Sequence, residues 1–128
     1  LKLKLKFESI KHIKTLASMF NTEFKNIKAI FTEITNNYDY IIVDEMSMVT
    51  YEYYHYMYTL KTRYGLNIIL AGDWNQCPSV DDFRIDYKNK YFIHKMVDFN
   101  VRTLTSQFRY DGKMKDTMRK FIDPQKID

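Results

Sequence analysis

The sequence predicts an α/β fold with a mostly parallel sheet, and three observations carry that prediction. Tyr38-Asp39-Tyr40-Ile41-Ile42-Val43 is a short, β-branched apolar run that ends abruptly in two adjacent carboxylates, Asp44 and Glu45. Leu66-Asn67-Ile68-Ile69-Leu70-Ala71 repeats the design and runs straight into Gly72-Asp73-Trp74-Asn75-Gln76. Gly72 lies 28 positions after Asp44, room for one helix and one strand, as a parallel crossover requires. Apolar strands without alternation belong to sheets covered on both faces. In such sheets the polar residues at the C-terminal tips of the strands face a ligand crevice.

The other elements follow in chain order. Leu1 to Phe7 alternates Leu or Phe with Lys, the period-two pattern of a half-exposed strand with a solvated lysine face. Ser9 can cap a helix in which Ile10, Ile13, Leu16, Ala17 and Phe20 share one face. Asn21 or Thr22 can open the next, with Phe24, Ile27, Ile30, Phe31 and Ile34 inward and Asn36-Asn37 at its end. After the Asp-Glu strand, Thr50 can cap a helix running to Tyr64, stopped by Gly65. Its Tyr53, Met57, Leu60 and Tyr64 stand at the spacing of a packing stripe, and His55 reads as structural. Cys77 to Val80 is a loop. Tyr91 to Phe99 reads as a short helix, Val101 to Thr105 as a strand, and Asp111 to Ile122 as a helix closed by Pro124.

Composition narrows the class. At 128 residues, with 45% hydrophobic and 16% aromatic residues, the chain can build a real core. It begins with Leu, which points to an excerpt from a longer polypeptide. The formal charge of +4 suits an anionic partner without demanding one. Cys77 is the single cysteine, so no internal disulfide forms, and an intracellular setting (cytoplasm or nucleus, with a viral replication site as a variant) is expected. The apolar runs are far shorter than the roughly 20 residues of a membrane helix.

Paired carboxylates at one strand tip and an amide at the next suit phosphoryl transfer. One carboxylate can hold the Mg²⁺ that bridges phosphates, and its neighbour can orient or deprotonate the attacking water. Three segments, D-E-M-S-M at 44–48, G-D-W-N-Q-C-P-S-V at 72–80 and L-T-S-Q-F-R at 104–109, occur in this order. Together they make the chain resemble the superfamily 1 helicases, specifically the RecD-like and Dda-like group, over roughly Thr15 to Met118. Lys14-Thr15-Leu16-Ala17-Ser18-Met19-Phe20 is similar to the segment that follows motif Ia there. Ile85-Asp86-Tyr87 and Arg109-Tyr110-Asp111 look like the versions in large DNA viruses.

The resemblance implies a partial P-loop NTPase (RecA-like) domain, with residues 1–100 its C-terminal part and 101–128 the start of a second such domain. It implies ATP and Mg²⁺ as cofactors, single-stranded DNA as partner (RNA being the alternative), and ATP-driven 5′→3′ translocation with strand separation. It further implies that Asp44 binds the metal, Glu45 serves the hydrolytic water and Gln76 senses the γ-phosphate. Arg109 would act as an arginine finger in cis, closing on the phosphates from the second domain.

The departures are specific. Cys77 stands where the family has Leu, Ser79 where it has Pro, and Ala17 where it often has His. No G-x-x-x-x-G-K-[ST] occurs, since none of Gly65, Gly72 and Gly112 has a glycine five positions on. The P-loop is therefore expected upstream of Leu1, and these 128 residues alone are expected not to hydrolyse ATP. Two other readings stay open. One is a helicase-derived module that binds nucleic acid or protein without hydrolysis. The other is a metal-dependent nuclease built on Asp39, Asp44, Glu45 and Asp73, which leaves Gln76 and Arg109 unexplained.

Overall fold

The computed structural model describes residues 13–23, 25–80 and 84–106. Two strands, β1 (Tyr40–Val43) and β2 (Asn67–Leu70), pair in parallel in the register Tyr40↔Asn67 to Val43↔Leu70. Ahead of them come α1 (Leu16–Met19) and α2 (Ile27–Asn37). The crossover is α3 (Tyr51–Tyr64), and α4 (Tyr91–Met96) follows β2. Short 3₁₀ turns occupy Met46–Met48 and Tyr87–Asn89. The predicted α/β class with a parallel pair is what these residues form.

Capping chemistry sets where the helices begin. Thr15 accepts a bond at its hydroxyl from the Ser18 N–H, 3.1 Å, and opens α1. Asn26, not Asn21 or Thr22, caps α2: its side-chain oxygen takes the Ala29 N–H at 2.9 Å. Thr50 does precede α3, but its side chain makes no capping bond. Gly65 ends that helix at φ +73, its N–H reaching back to Lys61 while the Leu66 N–H reaches Leu60. α4 stops at Met96 rather than Phe99, because Asp98 and Phe99 both take positive φ and turn the chain out of the helix.

The core lies between the helices and one face of the sheet. Ile30, Phe31 and Ile34 of α2 meet a ring cluster in which Phe20 stacks on Tyr53 and Phe31 meets Tyr56 and Tyr64 edge-on. The buried stripe of α3 is Tyr54, Met57 and Leu60. The expected stripe was right at Met57 and Leu60 and wrong at its ends, for Tyr53 is only half-buried and Tyr64 is exposed. A tyrosine satisfies either phase of the helix, so composition could not separate Tyr53 from Tyr54.

Two further expectations change. Ile41, Val43 and Ile68 are buried, but Tyr40, Ile42 and Ile69 on the other sheet face are exposed, so the described residues cover one face only. Val101 to Thr105 is not a strand: its residues are irregular and exposed. A cavity of about 450 Å³ is lined by β2 together with Asn100, Val101 and Arg102, and among the described residues no backbone hydrogen bond ties this segment to the sheet. The Leu1–Phe7 strand, the Ser9 cap, the Asp111–Ile122 helix and Arg109 lie outside the described residues. Among the described residues, no helix is long and apolar enough to cross a membrane.

Candidate functional site

Two loops leave the same end of the parallel pair, and their backbones are stitched together. The ladder continues past β2 with the Ala71 N–H donating to the Val43 carbonyl at 2.8 Å. The chain then turns sharply at Glu45, which adopts the left-handed conformation at φ 54 and ψ 48. That turn brings the Met46 N–H back to the Ala71 carbonyl at 3.0 Å. A non-glycine residue held left-handed is a local strain of order 1–3 kcal/mol, and it sits on the candidate catalytic carboxylate. The Glu45 N–H donates to Asp44 Oδ1 at 2.9 Å, which fixes the two carboxylate-bearing residues relative to one another.

Gly72 makes the close approach possible. Its φ is +144, and a β-carbon there would stand 2.7 Å from the Met46 nitrogen and 3.3 Å from the Glu45 carbonyl carbon. A strand-end glycine signals such a contact in the sequence, although the partner it would approach could not be named from sequence. Beyond it, Asp73 organises the loop that carries Gln76. Asp73 Oδ1 accepts from both the Asn75 N–H, 2.9 Å, and the Asn75 side-chain amide, 3.0 Å. The Gln76 N–H closes the turn on the Asp73 carbonyl at 3.1 Å.

Tyr54 braces the other side of the Asp-Glu loop. Its ring is fully buried and its hydroxyl donates to the Met46 carbonyl. Burial pushes the phenol well above its ordinary range. Sequence reading missed this residue as part of the site, because nothing among the six tyrosines of one helix marks the one whose hydroxyl turns inward.

Asp44, Glu45 and Gln76 are thus at the C-terminal end of adjacent parallel strands, all three exposed. Among the described residues no hydrogen bond joins Gln76 to either carboxylate, and a small cleft nearby is lined by Ser47, by Trp74, Asn75 and Pro78 and by residues 85–88 rather than by these three. Arg109 lies outside the described residues.

The residues fit a magnesium ion of a particular kind. Among the described residues no group of three His, Cys, Asp or Glu side chains could hold a metal. Mg²⁺ in phosphoryl-transfer sites needs no such cage: one or two carboxylates suffice, with water and phosphate oxygens completing the octahedron. An exposed Asp44 at a strand tip suits that role. Asp39 precedes β1 and so lies at the opposite end of the strand from Asp44, apart from the other carboxylates of the nuclease reading. Cys77 is an exposed free thiol, and His55 is exposed and stacks on Tyr51.

Comparison with known proteins returned one family. Residues 3–82 match the AAA domain, a span that contains both strands, the Asp-Glu loop and the Gly-Asp loop through Val80. No curated protein and no solved structure matches the chain. With well over half its length covered, the chain belongs to the AAA domain family, a helicase-like class of nucleotide-binding P-loop NTPases.

Proposed function

We propose that this chain is part of the motor of an ATP-dependent DNA helicase of the RecD-like and Dda-like kind, moving 5′→3′ along a single strand. The observation that carries the reading is the stitched pair of loops. Asp44-Glu45 and the Gln76 loop leave adjacent parallel strands at one end and share the Met46–Ala71 hydrogen bond, so a change at one is felt mechanically at the other. That is the coupling a motor needs between its nucleotide and its track.

The roles follow from side-chain chemistry. Asp44, a hard anionic oxygen donor, would hold Mg²⁺, which when bound neutralises charge on the transferring phosphates. Glu45 would orient and deprotonate the hydrolytic water. Gln76, able to donate and accept at once, would read the γ-phosphate and pass its presence to the strand-binding surface. Arg109 would approach from the second domain, expected to start at residue 101, spreading its fork over phosphate oxygens only when the halves close. Single-stranded DNA is the proposed track, RNA the alternative.

The test is Glu45→Gln in the full-length polypeptide. ATP affinity should stay within a few-fold of wild type while turnover drops by two orders of magnitude or more, with strand separation lost in step. Unchanged turnover would remove Glu45 from the chemistry. A wild-type protein that binds nucleic acid but shows no ATPase at all would instead support the non-hydrolysing binding module.

A further inference from the structure

Ser47 raises a question that hydrolysis by Asp44, Glu45 and Gln76 does not answer. Its side chain is 4% exposed, and its hydroxyl is buried with no hydrogen-bond partner among the described residues. A buried hydroxyl left unpaired is unfavourable, and alanine would occupy the same place without that cost. Its position is suggestive: it lies in the 3₁₀ turn two residues after Glu45 and lines a cleft of about 140 Å³. The cleft is lined further by Trp74, Asn75 and Pro78, of the loop that carries Gln76, and by residues 85–88. Asn75 spends its N–H and its side-chain amide on Asp73 Oδ1, which leaves its side-chain carbonyl oxygen to accept.

We infer that Ser47 is a positioning residue whose hydroxyl donates to the Asn75 side-chain carbonyl when the Gln76 loop closes over bound nucleotide, drawing Gln76 toward Glu45. The inference rests on the nucleotide reading above. In the arrangement described here the hydroxyl has no partner among the described residues, and with the loop closed it would have one. The unfavourable open state therefore biases the loop toward closure, which is how a single hydroxyl can act as the latch of a two-state element. A misplacement of about 1 Å at a reacting group costs on the order of 100-fold in rate, so a latch on the Gln76 loop has leverage without touching substrate.

Trp74 is the single tryptophan of these 128 residues and lines the same cleft, so the part of the emission change that Trp74→Phe removes reports closure. The experiment uses the full-length protein with a slowly hydrolysed ATP analogue and with ATP. Ser47→Ala should leave analogue affinity within about twofold, reduce the nucleotide-induced change in Trp74 emission, and slow single-turnover hydrolysis about 10- to 100-fold. Ser47→Thr, which keeps the hydroxyl in a cleft with room for a methyl group, should restore both. Asn75→Ala should mimic Ser47→Ala, and the double variant should fall no further than either single one. Ser47→Ala with wild-type emission change and wild-type turnover overturns the inference, as does full additivity with Asn75→Ala. Failure of the hydrolysis reading shows separately: a wild type that binds the analogue with a Trp74 response but never hydrolyses ATP defeats that reading alone, and Ser47 is then judged on emission. A wild type that binds no nucleotide defeats both.

Discussion

Replacing Gly72 by alanine tests the stitch between the two loops more directly than any other single change. The added β-carbon meets the Met46 nitrogen at 2.7 Å and the Met46 Cγ at 3.1 Å, and backbone cannot yield as a side-chain tip does. The φ of +144 is also one that residues with a β-carbon rarely adopt, a strain of about 1–3 kcal/mol. Relief requires the Glu45–Met46 peptide to move, which breaks the 3.0 Å bond from the Met46 N–H to the Ala71 carbonyl, about another 0.5–1.5 kcal/mol. The expected loss is about 2–4 kcal/mol, a large fraction of the roughly 5–15 kcal/mol that holds a domain together. With a urea slope of about 1–3 kcal/mol per molar, the midpoint should fall by about 1–2 M. Gly65→Ala is the control: its φ is +73 but nothing lies within 4 Å of the new carbon, so only the left-handed penalty of about 1–2 kcal/mol remains. Urea denaturation of the two variants side by side decides the matter. If Gly72→Ala costs no more than Gly65→Ala, the close approach of the loops is not a constraint and the coupling drawn from it collapses.

Four other outcomes are expected. Glu45→Gly should hold or raise stability by up to about 1 kcal/mol in thermal melts, because it relieves a left-handed residue, while abolishing turnover in the full-length protein. Tyr54→Phe should cost about 1 kcal/mol, a modest loss because the Met46 carbonyl keeps the Val49 N–H. Tyr54 also gives a pH signature. Its folded pKa is raised above the ordinary value of 10, so its contribution is complete below pH 10 and is lost as pH climbs toward the folded value, at up to about 1.4 kcal/mol per unit. Tyr54→Phe should therefore flatten the alkaline limb of a stability–pH curve, and an unchanged limb would mean that other tyrosines set it. Asn26→Ala should destabilise by about 1 kcal/mol through the lost α2 cap, whereas Thr22→Ala, at an exposed site outside that cap, should be nearly silent in the same denaturation assay.

How far the sequence could be read depended on the kind of signal. Both strands and α3 were legible because apolar runs, a stop glycine and a crossover-sized spacing all pointed the same way. The start of α2 was not, since Asn21, Thr22 and Asn26 are equally good caps and only packing chooses among them. Val101 to Thr105 misled for a related reason: a β-prone run becomes a strand only where an unpaired edge lies within reach. In the site, Asp44, Glu45 and Gln76 stood out as polar residues at strand tips. Ser47 and Tyr54 did not, because what sets each apart is one buried hydroxyl whose direction is decided by tertiary structure. Tyr53, beside Tyr54 in the chain, offers no contrast by which to tell the two apart.

The parallel pairing of β1 and β2 has a consequence for how this chain acquires its shape. No rung of that ladder can close locally, since each partner is reached only after the whole of α3 has been traversed. Forming α3 shortens the tether between the strands and reduces the entropy lost when they meet. The Tyr54 ring, inside that helix, is then already placed to receive the Asp-Glu loop as the strands zip toward their C-terminal tips. Mutations that weaken α3 should consequently slow refolding, while those at the Gly72 contact, which forms last, should mainly hasten unfolding. Assembly would thus run from the back of the domain forward, and the corner where the two loops meet would be the last part built and the first to open.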